Sequence, residues 1–193
     1  MNCKKIVLLS LIMSALCFVF VSCGSTRYTA NGNDSKQIYL RNNIHFQERK
    51  GNNHGSYANW TEPAYGHAVI PVNTVVEIKD GETYIYIINK GTGKKVEIEY
   101  SEVNMDMSVE QYIRLITSTE PTSLTAYSEI DRKGIADGKA YIGMTKDGVR
   151  VALGYPAKHR TLSLDYNTWV YWRDRFRTRA IDFDKTGKVV GIR

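Results

Sequence analysis

The sequence predicts an α+β chain: a small antiparallel β module closed by one helix over residues 37–120, then two helices on a three-stranded antiparallel meander over residues 121–193. Three observations predict it. Residues 74–100 alternate β-branched or aromatic residues with polar ones around turn-forming glycines, which is the two-residue period of strands. Ser108, Ser128 and Thr145 each stand where a hydroxyl can cap the first turn of a helix. Residues 168–192 return to strand periodicity, with Asp184-Lys185-Thr186-Gly187 as a turn between two runs.

Residues 1–22 read as an export signal. Lys4 and Lys5 supply the positive start, the stretch from Ile6 to Val21 is uncharged and mainly apolar, and Ser22 is the small residue before the cleavage point. The segment Phe20-Val21-Ser22-Cys23 resembles a bacterial lipobox. That resemblance implies a diacylglycerol on the Cys23 thiol, cleavage before Cys23, and acylation of the new amino terminus by a chain such as palmitate. Each buried methylene contributes about 0.8 kcal/mol, so two or three acyl chains anchor a protein in effect permanently.

Cys3 and Cys17 lie in the signal and Cys23 is the lipidation site, so no free thiol is expected in the remaining chain. Disulfides, a cysteine nucleophile and thiolate metal sites are thereby excluded from the expectations. The full chain has 26 basic and 20 acidic side chains, a formal +6, and loss of Lys4 and Lys5 leaves +4. So mild an excess is no nucleic-acid signature, and basic patches are read against anionic lipid and acidic protein partners. Residues 23–36 are small and polar and form a flexible tether.

The β module opens at Ile38-Tyr39-Leu40. Thr74 to Lys79 and Thr83 to Ile88 flank Asp80-Gly81, read as the hairpin turn, and Val96 to Tyr100 alternates after the loop of Gly91 and Gly93. A polar loop from Gln47 to Ala68 interrupts these strands and carries Trp60 and Tyr65. Exposed, those two aromatics are candidates for recognising a glycan, a peptidoglycan fragment or a protein. The favoured reading folds them over the open end of the sheet. His45, His54 and His67 match no metal-binding spacing, and neither a metal nor another cofactor is expected.

Ser108 with Gln111 forms a capping box, and Val109, Tyr112, Ile113 and Ile116 make an apolar stripe at helical spacing. A second helix starts at Ser128, with Asp131 at its third position, and stops near Gly138. The third starts at Thr145 and stops at Gly154, two residues before Pro156. Trp169 and Tyr171 then share one face of a strand.

The series Gly143-Met144-Thr145 with Val149, Leu153-Gly154 with Pro156, Trp169 with Tyr171, and Phe183-Asp184 with Gly187 and Val189 resembles the SmpA/OmlA (BamE-like) outer-membrane lipoprotein family over about residues 125–193. The resemblance implies a lipid-anchored protein on the periplasmic face of the outer membrane. It would be non-catalytic, act as a protein-interaction module among β-barrel assembly components, and contact anionic phospholipid. Gly143, Met144, Thr145, Val149, Gly154 and Pro156 would be the helix-turn framework, and Trp169, Tyr171 and Phe183 core. Gly24, in place of an aspartate that retains lipoproteins in the inner membrane, agrees with the outer membrane. Gly148 departs from the family pattern, and glycine inside a helix costs about 1 kcal/mol relative to alanine.

Arg173, Arg175, Arg177 and Arg179 alternate. On one continuous strand all four would project from one face toward anionic lipid or an acidic partner, with Trp172 and Phe176 as interfacial anchors. A hairpin turn within the run, pairing arginines with acids such as Asp174, is the alternative. Enzyme motifs are lacking: there is no nucleophile elbow, phosphate loop or dinucleotide fingerprint, and His159 with Asp165, or His67 with Glu62, lacks a nucleophile.

Overall fold

The computed structural model describes residues 36–81 and 84–193. The export signal, Cys23 and the tether up to residue 35 lie outside the described residues. The strands are β1 (Tyr39–Leu40), β2 (Ile44–Arg49), β3 (Asn52–Ser56), β4 (His67–Ile70), β5 (Val76–Asp80), β6 (Tyr84–Asn89) and β7 (Lys95–Glu99), followed by helices α1 (Glu102–Met105) and α2 (Val109–Ile116) and strand β8 (Thr117–Ser118). Helices α3 (Glu129–Asp137) and α4 (Lys146–Leu153) precede strands β9 (Thr168–Trp172), β10 (Thr178–Phe183) and β11 (Val189–Ile192). The chain is therefore α+β, as its periodicity predicts.

The first sheet is neither small nor purely antiparallel. Six strands run in the order β4-β2-β3-β7-β6-β5, and β3 pairs with β7 in parallel. Sequence patterning places Asn52 to Ser56 in a loop because asparagine and glycine are poor strand formers. Neighbours on both sides override that local preference, β2 on one edge and β7 on the other. Gly55 permits the close approach, since a Cβ there would lie 2.5 Å from Ile98 Cδ1. The β5–β6 register pairs Asp80 with Ile85, and Gly81 N–H donates to Tyr84 O, so pairing runs through Asp80-Gly81 instead of turning there.

Alternation sorts the sheet faces. Phe46, Val76, Ile78, Ile85, Ile87, Val96 and Ile98 are buried together beneath Met105, Tyr112 and Ile116 of α1 and α2. The Ser108 hydroxyl accepts from Gln111 N–H while Gln111 Oε1 accepts from Ser108 N–H at 2.8 Å, and this reciprocal box holds the helix start. A second cluster gathers Ile135, Met144, Val149, Leu153, Trp169, Tyr171, Ile181, Phe183 and Val189 between the two later helices and the β11-β10-β9 meander.

Asp131 is the hub of that second unit. Its carboxylate is 1 % exposed and accepts from the Ser128 hydroxyl at 2.7 Å and from Thr145 N–H at 2.7 Å, so one side chain ties together the N-termini of α3 and α4. Negative charge is favoured at both helix starts by the orphan N–H groups and the helix dipoles. Close packing accompanies it. A Cβ on Gly148 would come 2.2 Å from Asp131 Oδ1, and one on Gly134 would come 2.3 Å from Met144 Sδ. Glycine at 148 is thus a packing requirement, and its propensity cost is outweighed by the helix contact it allows.

Gly148→Ala is therefore expected to destabilise the protein by about 2 kcal/mol through overpacking, opposite in sign to the gain helix propensity predicts. Urea denaturation monitored by tryptophan fluorescence measures it. An unchanged or higher midpoint would show that α4 can move away from Asp131.

Candidate binding site

Both faces of β2 are buried, so this strand separates the two cores. Ile44 and Phe46 face the first core. Asn43, just before the strand, and His45 meet the C-terminal ends of α3 and α4, where helix carbonyls lack intrahelical partners. Asn43 N–H donates to Val151 O at 2.9 Å. Its side-chain amide donates to Ile135 O at 2.7 Å and Ala152 O at 3.1 Å, while its Oδ1 accepts from Val72 N–H at 2.9 Å. His45 Nε2 lies 2.8 Å from Ala152 O.

These contacts determine a tautomer. A carbonyl only accepts, so the His45 proton is on Nε2 and its Nδ1 accepts the Nε2–H of His67, 3.0 Å away. The ring centroids are 5.2 Å apart with planes 8° from parallel, so the imidazoles meet end to end. Burial brings the His45 pKa down to about 4, with the nearby His67 acting in the same direction and the Ala152 carbonyl and Glu62 opposing. Burial also lowers His67, helped by Lys139 and opposed by Glu62. The His45–His67 pair is thus a hydrogen-bonded link, and His54 stands apart from it against Trp60, Tyr84 and Glu99. Among the described residues no group of three or more His, Cys, Asp or Glu is placed to hold a metal.

The arginine run is a hairpin and not a continuous strand. Strand β9 ends at Trp172, β10 begins at Thr178, and Thr178 pairs with Trp172 across the turn. Asp174 causes the reversal by accepting the N–H groups of Phe176 and Arg177, each at 2.9 Å, and pairing with the Arg177 guanidinium. Arg173 and Arg179 converge on Glu62, from the stretch between β3 and β4. Arg175 has no ion pair among the described residues, and its charge, after burial and Arg49, helps hold the His54 pKa below its ordinary value. Phe176 is 85 % exposed at the tip. Trp172 instead packs against the first core beneath Arg160, whose guanidinium is 5.4 Å from the indole centre, and is no interfacial anchor.

A cavity of about 470 Å³ opens on the outer face of the meander beside that indole, lined by His159, Arg160, Val170, Thr178, Ala180 and Arg193. Val170, Thr178 and Ala180 are the alternate residues to Trp169, Tyr171 and Ile181, so the small side chains form a floor while the large ones fill the core. His159 N–H is held by Asn104 O at 3.0 Å, and its ring lies 6.1 Å from Trp172. Arg193 is pinned from the other side by Asp182. Among the described residues no Asp or Glu side chain lines the groove, and its rim carries the guanidinium of Arg160 beside that of Arg193, the kind of group that pairs with planar anions. Arg160 and Arg193 carried no sequence signal as a pair; the alternation of small with large residues becomes a clue once the hairpin register is known.

Met144, Val149, Trp169, Tyr171 and Phe183 are core, Thr145 caps α4, Gly143 and Gly154 have positive φ, and Pro156 follows the helix stop. Trp60 is 6 % exposed and folded inward, leaving Tyr65, 68 % exposed, as the accessible member of the two candidate recognition aromatics. The stretch they occupy is only partly loop, because β3 and the start of β4 lie within it. Among the described residues His159 and Asp165 form no hydrogen bond or ion pair with each other, and the Asp165 carboxylate instead accepts from the Ser163 hydroxyl. Among the described residues no helix is long and apolar enough to cross a membrane.

The His45 link makes stability acid-sensitive. Above pH 6.5 its neutral form costs nothing; as pH falls, the unfolded chain gains a proton near 6.5 while the folded chain resists until about 4. Stability should fall across that window at up to about 1.4 kcal/mol per pH unit, and His45→Gln should flatten the slope while lowering stability at pH 7 by about 1 kcal/mol. Urea midpoints between pH 4 and 7 test this, and an identical slope in the variant would remove His45 as its source. No protein family, characterised protein or solved structure matches this chain.

Proposed function

We propose that the chain is a non-catalytic, lipid-anchored protein of the outer membrane, held through acylated Cys23 on the periplasmic face. It acts as a protein-interaction module in β-barrel assembly or envelope maintenance. Support comes from the lipobox-like Phe20 to Cys23 and from the C-terminal motif series, whose residues form two helices followed by a three-stranded meander. The observation that carries the reading is the β9–β10 hairpin. It presents Phe176 at its tip between Arg175 and Arg177, and the cationic groove opens on the same hairpin. An exposed aromatic flanked by arginines is costly to leave in water and is the composition of an interaction hot spot. The same tip suits the surface of an anionic phospholipid bilayer, the second contact that the family resemblance implies.

The test is an affinity capture from native membranes with C-terminally tagged full-length protein, read by mass spectrometry, alongside Cys23→Ala and Phe176→Ser. Recovery of barrel-assembly components is expected; Phe176→Ser should reduce it at least tenfold, the effect of losing one buried aromatic contact, and Cys23→Ala should reduce it further by removing the anchor. Binding to phosphatidylglycerol vesicles should weaken in Phe176→Ser. Recovery of other envelope proteins only, or recovery indifferent to Phe176, would overturn the assembly reading.

A further inference from the structure

We propose that a second, smaller cavity, on the seam between the two cores, binds an α-carboxylate that carries a nitrogen donor on the adjacent carbon. A free amino acid and the C-terminus of a peptide share this chemistry. The cavity is about 130 Å³, the size of one amino-acid residue, and lies where the segment between β1 and β2 meets α4, with Arg41, Asn42, Arg150 and the rings of Tyr127 and Tyr155 among its walls. This inference is independent of the envelope reading, because no residue of the hairpin contributes to it.

Two observations define the ligand. Asn42 is only 2 % exposed, and its Oδ1, buried, has no hydrogen-bond partner among the described residues. Its orientation is determined by its own amide nitrogen, which donates to Asn43 O at 2.7 Å, so a flip would set two acceptors against each other. A buried acceptor without a donor is costly and uncommon, and here it belongs to a side chain that lines a cavity large enough to hold a polar group. A ligand that brings an N–H to Asn42 Oδ1 would supply the missing partner.

The second observation is the charge of the walls. Arg41 is exposed at the cavity and has no ion pair among the described residues. Arg150 spends one donor on Asp147 and another on the Tyr155 hydroxyl at 3.2 Å, which holds the guanidinium still and leaves others of its five N–H groups unspent. Among the described residues no carboxylate lines the cavity, although Asp147 bonds two of its walls, Arg150 and Tyr127. Guanidinium groups recognise carboxylates with paired hydrogen bonds, so a ligand with a carboxylate toward Arg41 and Arg150 and an N–H toward Asn42 gives a partner to all three side chains. Thr122 completes the wall, positioned by its N–H bond to Asn73 Oδ1 at 2.7 Å.

The experiment is ligand-observed saturation-transfer NMR on the full chain in nanodiscs, with empty nanodiscs as blank. N-acetylglycine and glycine serve as probes, and acetate and N-acetylglycinamide lack the nitrogen donor and the carboxylate respectively. Saturable binding, on the order of millimolar for so few atoms, is expected for at least one of the two probes, and at least tenfold weaker binding for the two controls. Arg41→Gln, a substitution at an exposed side chain, should weaken the probe at least tenfold without shifting the melting temperature. Tighter N-acetylglycine assigns a peptide end, and tighter glycine a free amino acid. Failure of both probes to saturate, equal binding of acetate, or indifference to Arg41→Gln would overturn the proposal and leave the cavity to water.

Discussion

Everything in this fold depends on how the carbonyls at the ends of α3 and α4 are satisfied. A helix terminus buried against another unit must find donors there, because water does not reach it. Asn43 and His45 supply them from one strand: the Asn43 main chain and side-chain amide together reach Ile135, Val151 and Ala152, and the imidazole adds a second donor to Ala152. The same strand turns Ile44 and Phe46 into the other core. Alternation along β2 thus serves two masters, an apolar face for the sheet core and a donor face for the helix ends. The helices cannot shift without stranding buried carbonyls, and the sheet cannot shift without moving Phe46.

The helix starts are constrained as tightly by opposite chemistry. Asp131 collects donors from Ser128 and Thr145, and Gly148 leaves its carboxylate room. With donors at one end and an acceptor at the other, α3 and α4 form a rigid pair on which the meander packs. The meander packs Trp169 and Tyr171 against this pair, and strand alternation turns Val170, Thr178 and Ala180 outward to floor the groove.

Charge is sorted by the same contacts. Of the alternating arginines, Arg173 and Arg179 share the single carboxylate of Glu62, which secures the hairpin against the first unit, and Arg177 pairs with Asp174 inside the turn. Arg175, Arg160 and Arg41 lack such partners among the described residues, and each stands at a place where a ligand or surface can approach: the hairpin tip, the groove and the seam cavity. A modest net charge therefore becomes local cationic sites because the acids are consumed internally.

Local chemistry made much of this legible in advance. Hydroxyl caps at Ser108, Ser128 and Thr145, the stops at Gly138 and Gly154, and the alternation of Trp169 with Tyr171 depend on neighbours a few residues away, and helices and strands form where they imply. So does the α+β class. What only the tertiary structure decided involves partners far apart in sequence: the parallel β3–β7 pairing that makes a strand of Asn52 to Ser56, the tautomer shared by His45 and His67, the convergence of Arg173 and Arg179 on Glu62, and the gathering of Arg41, Asn42 and Arg150 around one cavity. Periodicity reports which way a side chain points from its own strand or helix. It carries no information about which distant group will meet it, because that is decided by the packing of whole faces.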